Sequence, residues 1–117
     1  MDRPCRPWIE AALKYAGGTH DYGDIVRSVM EGTMQLWPAS HSAAVTEIVV
    51  YPKMKTLHVF LAGGRKGQLI EMIDSAAEWG KAQGCTSMTM AGRKGWERVL
   101  GSEGWRPAMS VMERPIV

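Results

Sequence analysis

Apolar residues recur at helical spacing near the start of the chain, where Trp8, Ile9, Ala12, Leu13 and Ala16 follow Pro7 and the Gly17-Gly18 pair stops the run. A second run, Tyr22, Ile25, Val26, Val29 and Met30, begins after Asp21 and is closed by Gly32. Asp24 sits three residues past Asp21, where an acidic group suits the exposed amides of a helix start. The period then shortens. Met34, Leu36 and Trp37 form a short apolar run ended by Pro38, and 43–51 alternates loosely with Val45, Thr46, Ile48, Val49 and Val50. After a polar reversal at 52–55, residues 56–62 are apolar on both parities, as expected of a central strand covered on both faces. Residues 68–83 place Leu69, Ile73, Ala76, Ala77 and Gly80 on one stripe, with Glu71, Asp74, Ser75, Glu78 and Lys81 opposite, which predicts an amphipathic helix ended by Gly84. A strand at 85–91, a short helix at 96–100 and a strand at 105–112 complete the expected elements.

Strand, helix and strand within about 35 residues form a βαβ unit, whose strands are parallel and whose following loops open on the same sheet edge. The pattern therefore predicts a mixed α/β sheet in one domain spanning 1–117. Composition agrees, with 117 residues, 45% of them hydrophobic and 22% charged, enough for one core without disulfides or metal. The net charge of +2 is too small to argue for nucleic acid without a basic stripe. No window approaches the roughly 20 apolar residues that span a bilayer, and the first 13 residues carry Asp2, Arg3, Arg6 and Glu10 in place of a signal-peptide core. A soluble, cytoplasmic protein is expected, with no membrane and no nucleic-acid partner.

One tetrapeptide, Gly-Arg-Lys-Gly, occurs at 64–67 and again at 92–95, each time between a strand and a helix. Glycines let amides point outward, a helix start adds partial positive charge, and two cations complete an anion site. With parallel neighbouring strands, Arg65, Lys66, Arg93 and Lys94 line one crevice and suit a phosphate-bearing ligand; the alternative is a pair of solvated turns. Glu47 is the one carboxylate in a strand flanked by apolar residues. A carboxylate partly withdrawn from water holds a proton more readily, which suits a general base, although an outward-facing strand position also accommodates it. His58, on the neighbouring strand, either pairs with Glu47 or faces the second layer. His20, His41 and His58 have no second ligand at metal spacing, so no metal is expected, and Cys85 reads as a small packed hydrophobe. The five Trp share no common period and the nine Met are routine gap fillers, so both read as packing, the alternative being an exposed subset that marks a partner surface.

The order of these elements resembles the GNAT acyltransferase superfamily over nearly the whole chain, from Trp8 to Met112, and best between Leu57 and Trp105. Residues 57–61 resemble its central strand, Gly64, Arg65, Lys66, Gly67 and Gln68 its acyl-CoA pyrophosphate loop, 68–83 the following helix, and Gly104-Trp105 its Gly-aromatic pair. Within that superfamily, the runs YAGGT (15–19), MQLWP (34–38), HVFLAGG (58–64) and GRKGWERVL (92–100) look like small proteins of tailed phages and prophages. The resemblance implies a GNAT-like fold, acetyl-CoA or CoA as ligand, Glu47 near the place of the family's general base, and a splayed sheet admitting the pantetheine arm.

This chain departs from the family pattern in four ways. With the loop aligned on Gly67, Gly64 stands where the family has Gln or Arg, and Leu69 where it has a small residue. Leu100 occupies the position of its general-acid Tyr and cannot donate a proton. The family's first strand has no counterpart ahead of the two leading helices. These departures point to a catalytically degenerate, phage-type binding module for a virion or host protein or an anionic ligand, compatible with a homo-oligomer. The alternative is an acetyl-CoA-dependent N-acetyltransferase with Glu47 as base and the 64–68 amides, Arg65, Lys66, Arg93 or Lys94 on the phosphates.

Overall fold

The computed structural model describes residues 5–92 and 95–116. Two helices lead: α1 (Arg6–Leu13), with Pro7 in its first turn, and α2 (Tyr22–Glu31). α2 starts on a reciprocal cap in which the Asp21 carboxylate accepts from the Asp24 amide and the Asp24 carboxylate accepts from the Asp21 amide, both at 2.9 Å. Gly32 ends it in the left-handed conformation, φ 82°.

Three strands follow, β1 (Gln35–Ala39), β2 (Ser42–Val50) and β3 (Lys55–Gly64), then α3 (Lys66–Ala82), β4 (Ser87–Met90), α4 (Gly95–Leu100) and a 3₁₀ turn at Gly101–Glu103. The sheet order is β1-β2-β3-β4. β1 and β2, and β2 and β3, pair antiparallel; β3 and β4 are parallel, joined through α3 as the βαβ pattern requires.

The sheet is covered on both faces near its middle. α1 and α2 pack Cys5, Ile9 and Ile25 with Met34, Ala43, Val45 and Leu61 on one face. α3 lays Leu69, Met72, Ile73 and Ala76 on the other, around Ala44 and Val59. Of the predicted stripe, Leu69, Ile73, Ala76 and Gly80 are buried and Ala77 is half-buried, while Glu71, Asp74 and Glu78 are exposed. Met72, which the stripe omitted, is buried with it. At Gly80 the helix comes close enough to β3 that a Cβ would meet Leu57 Cδ2 at 3.1 Å.

Two expectations need correction. Residues 105–112 form no strand; 105–116 is without regular structure and Met109, Val111, Met112 and Ile116 are 84 to 98% exposed. A strand needs a neighbour that bonds its amides, and no described strand pairs with this segment. β4 is also shorter than 85–91. The Cys85 amide is taken by the Gly80 carbonyl at the end of α3, the Thr86 amide already reaches the Lys55 carbonyl of β3, and the paired residues begin at Thr56↔Ser87.

Candidate functional site

The β3 backbone decides the geometry of the site. Val45 pairs with Leu61 but Thr46 pairs with Val59, so Phe60 is an extra residue bulged out of the β2–β3 ladder. Phe60 and Leu61 consequently both pack on the α1 side, while Val59 lies on the α3 side. The parallel pairing of β3 with β4 runs from Thr56↔Ser87 to Val59↔Met90 and stops at the bulge, although β3 continues to Gly64. Beyond that point the two strands part. A cleft of about 320 Å³ opens there, lined by Ala12, Tyr15 and Ala16 from the end of α1, Val59 to Ala62 of β3, Met90, Ala91 and Gly92 after β4, and Trp96 of α4.

Next to the cleft the 64–68 loop is tightly held. Gly64 has φ 116°, and a Cβ there would collide with the His41 carbonyl oxygen and with Ser42. The Arg65 amide donates to the His41 carbonyl at 3.0 Å, so it is committed to the fold. The Gln68 side chain is committed too: its Oε1 accepts from the His41 amide (3.0 Å) and Ser42 Oγ (2.9 Å), and its Nε2 donates to Ser40 Oγ (2.8 Å). The amides of Lys66, Gly67 and Gln68 are the first of α3 and have no carbonyl one turn earlier to bond. The Arg65 and Lys66 side chains are exposed beside them. Arg93 and Lys94 lie outside the described residues.

Glu47 is half-buried on β2, directly opposite His58 of β3. His58 stands opposite Thr89 of β4, and its Nδ1 is 2.8 Å from Thr89 Oγ1. Burial lowers the His58 pKa below its ordinary 6.5, while the Glu47 charge pulls it back up. Two positions along β3, the Phe60 ring meets His20 edge-on at 4.8 Å, and His20 Nδ1 lies 2.6 Å from Thr19 Oγ1. A polar row, Glu47, His58, Thr89, thus crosses three strands just before the point where β3 and β4 part. Sequence reasoning singled out Glu47, left His58 open and missed Thr89. Only the strand register could have revealed the row, because Thr89 is 31 residues from His58.

A parallel strand pair that splits at a bulge, with helices on both sheet faces and a helix that starts directly after the first of the two strands, has an acetyltransferase-like, GNAT-like fold. Solved structures with this fold include an acetyltransferase of Trypanosoma brucei (11% identity, 94% of each chain, TM-score 0.64). They also include the wild-type protein TTHA1254 of Thermus thermophilus (17% identity, 93% of this chain and 90% of that one, TM-score 0.62). A tetramutant of the BH1408 protein from Bacillus halodurans is similar over 84% of this chain and 76% of its own (15% identity, TM-score 0.66). No protein-family model and no curated protein matches the sequence. Among the described residues no group of three His, Cys, Asp or Glu side chains is placed to hold a metal, and no helix is long and apolar enough to cross a membrane.

Proposed function

We propose that the chain binds an acyl-coenzyme A in the cleft between β3 and β4 and transfers the acyl group to an amine. The reading rests chiefly on that cleft, a largely apolar slot where the parallel pairing of β3 and β4 has stopped, lined by β3 as far as Ala62, four residues before α3 begins. The residues fit such a ligand. Phe60, Leu61, Ala62, Met90 and Trp96 supply the apolar walls that a pantetheine arm needs. The Lys66, Gly67 and Gln68 amides, with Arg65 and Lys66, suit a pyrophosphate at a helix start. The bound thioester supplies an activated acyl carbon. The amine nitrogen bonds to that carbon as the carbon–sulfur bond breaks. The ammonium proton passes to Glu47 directly or through His58, whose ring Thr89 orients; the leaving sulfur takes a proton from water, since Leu100 has none to give.

The test is thermal stabilisation followed by turnover. Coenzyme A at 100 times its dissociation constant stabilises the fold by about 2.7 kcal/mol, and more than phosphate at equal concentration. Lys66→Glu removes that preference. With acetyl-CoA and a panel of amines, thiol release falls by ~10²–10⁴ in Glu47→Gln or His58→Ala. Buried Leu100, in the place of an acid, favours a second reading. In it the same cleft belongs to a degenerate phage-type module that recruits a virion or host protein. Coenzyme A binding without thiol release for any amine selects that reading; equal responses to phosphate and coenzyme A end the first.

A further inference from the structure

Acyl transfer from a thioester leaves a charged sulfur, and here that charge would form in a largely apolar slot. Burial disfavours a thiolate, so the carbon–sulfur bond breaks readily only if a proton reaches the sulfur as it leaves. Among the described residues that line the cleft, Tyr15 alone carries an ionisable side chain. The others are Ala, Val, Phe, Leu, Met, Gly and a Trp, whose indole N–H donates a hydrogen bond but gives up no proton. Glu47 and His58 are not among them: they lie on the paired stretch before the split, where the proposed transfer gives them the ammonium proton. The end of α1 fixes where Tyr15 stands. Two tight turns close the helix, the Tyr15 amide donating to the Ala12 carbonyl and the Ala16 amide to the Leu13 carbonyl, both at 3.1 Å. The chain then leaves through Gly17 and Gly18, at φ 77° and 74°, so Tyr15 is the last large side chain before that connection. Ala12 and Ala16 line the same cleft and are small, which leaves the phenol as the longest group this segment brings to it. Tyr15 is also 63% exposed, so solvent reaches it.

We propose that Tyr15 is the proton donor to the leaving sulfur. The role rests on the transferase reading and gives the water-derived proton its route. The amine nitrogen bonds to the acyl carbon, the carbon–sulfur bond breaks with its electron pair going to sulfur, and the Tyr15 phenol proton passes to that sulfur, releasing a free thiol. The phenolate then takes a proton from the solvent that Tyr15 already meets, so water remains the net source. A phenol and a thiol are weak acids of similar strength in water, and an apolar slot raises the sulfur's affinity for a proton, which favours the transfer. The turn after α1 thus supplies what Leu100 of α4 cannot.

Thiol release from acetyl-CoA, followed against pH with a panel of amines, tests this. In the parent, kcat is expected to fall at alkaline pH as Tyr15 loses its proton. Tyr15→Phe should lower kcat by ~10²–10⁴, leave KM for acetyl-CoA within about twofold, and remove the alkaline limb. Fluorotyrosine at position 15, a stronger acid of nearly the same size, should keep turnover and move that limb to lower pH, which a residue acting only as wall would not do. The melting temperature and its rise with coenzyme A should be the same in Tyr15→Phe as in the parent, because the side chain is largely exposed. A parent that binds coenzyme A but releases no thiol with any amine ends the transferase reading and this role with it. A parent that turns over while Tyr15→Phe keeps its kcat and its alkaline limb ends this role alone. So does a Tyr15→Phe chain whose only change is a higher KM or a loss of coenzyme A binding.

Discussion

His58 sits between a carboxylate and a hydroxyl, and its burial has a consequence for pH. Its folded pKa is below 6.5, so the unfolded chain binds more protons as the pH falls through that value. Stability due to this group is complete above 6.5 and is lost below it, until the lower folded value is passed. The melting temperature is therefore expected to drop between about pH 7.5 and pH 5.5, with a shallower slope in His58→Gln. Glu47→Gln removes the charge that raises the imidazole pKa, so NMR titration of His58 should move further down; an upward move would mean the two groups do not face each other. Gly64 is a second residue-scale constraint. Its φ of 116° and the backbone at His41 and Ser42 leave no room for a Cβ, so Gly64→Ala should cost at least ~2 kcal/mol in urea unfolding, more than Gly67→Ala, where space is open.

α3 is held to the sheet in two ways. Its apolar stripe was legible from spacing alone, and Ile73→Ala should cost about 2–5 kcal/mol through lost contacts and a cavity. A loss under half of that lower bound would mean that the stripe does not pack as described. Its N-terminus is held by Gln68, which ties α3 to the β1–β2 turn through Ser40, His41 and fully buried Ser42. Gln68→Ala strands the buried Ser42 hydroxyl and should cost about 1–3 kcal/mol, with Gln68→Glu milder because it keeps the accepting oxygens. The sequence marked the amides of 64–68 as phosphate contacts; in the fold the Gln68 side chain holds the loop in place and its amide lies at the helix start, whereas the Arg65 amide is bonded to the His41 carbonyl. The bulge at Phe60 was not legible at all. An apolar run on both parities looks the same with or without an extra residue, and only pairing with β2 decides the register.

At the scale of the whole molecule, the cleft depends on α1 as much as on the sheet. Ala12 and Ala16 are small where they line it, and Ala12 also packs close to Gly63 of β3. Ala16→Trp, at a half-buried position, should fill the cleft and abolish stabilisation by coenzyme A while the body stays folded, as read by circular dichroism and thermal shift. Retained stabilisation would place the ligand elsewhere.

Local periodicity, capping residues and glycine punctuation determined the helices, the order of the strands and the parallel βαβ unit, because those signals act over a few residues. Tertiary structure alone decided the rest. The Glu47–His58–Thr89 row, the split at Phe60 and the cleft against α1 join residues from separate segments, and their placement follows from register and packing. The last segment makes the same point in reverse. The sequence of 105–112 reads as a strand, but a strand exists only where another backbone completes its hydrogen bonds, and no described strand pairs with this segment.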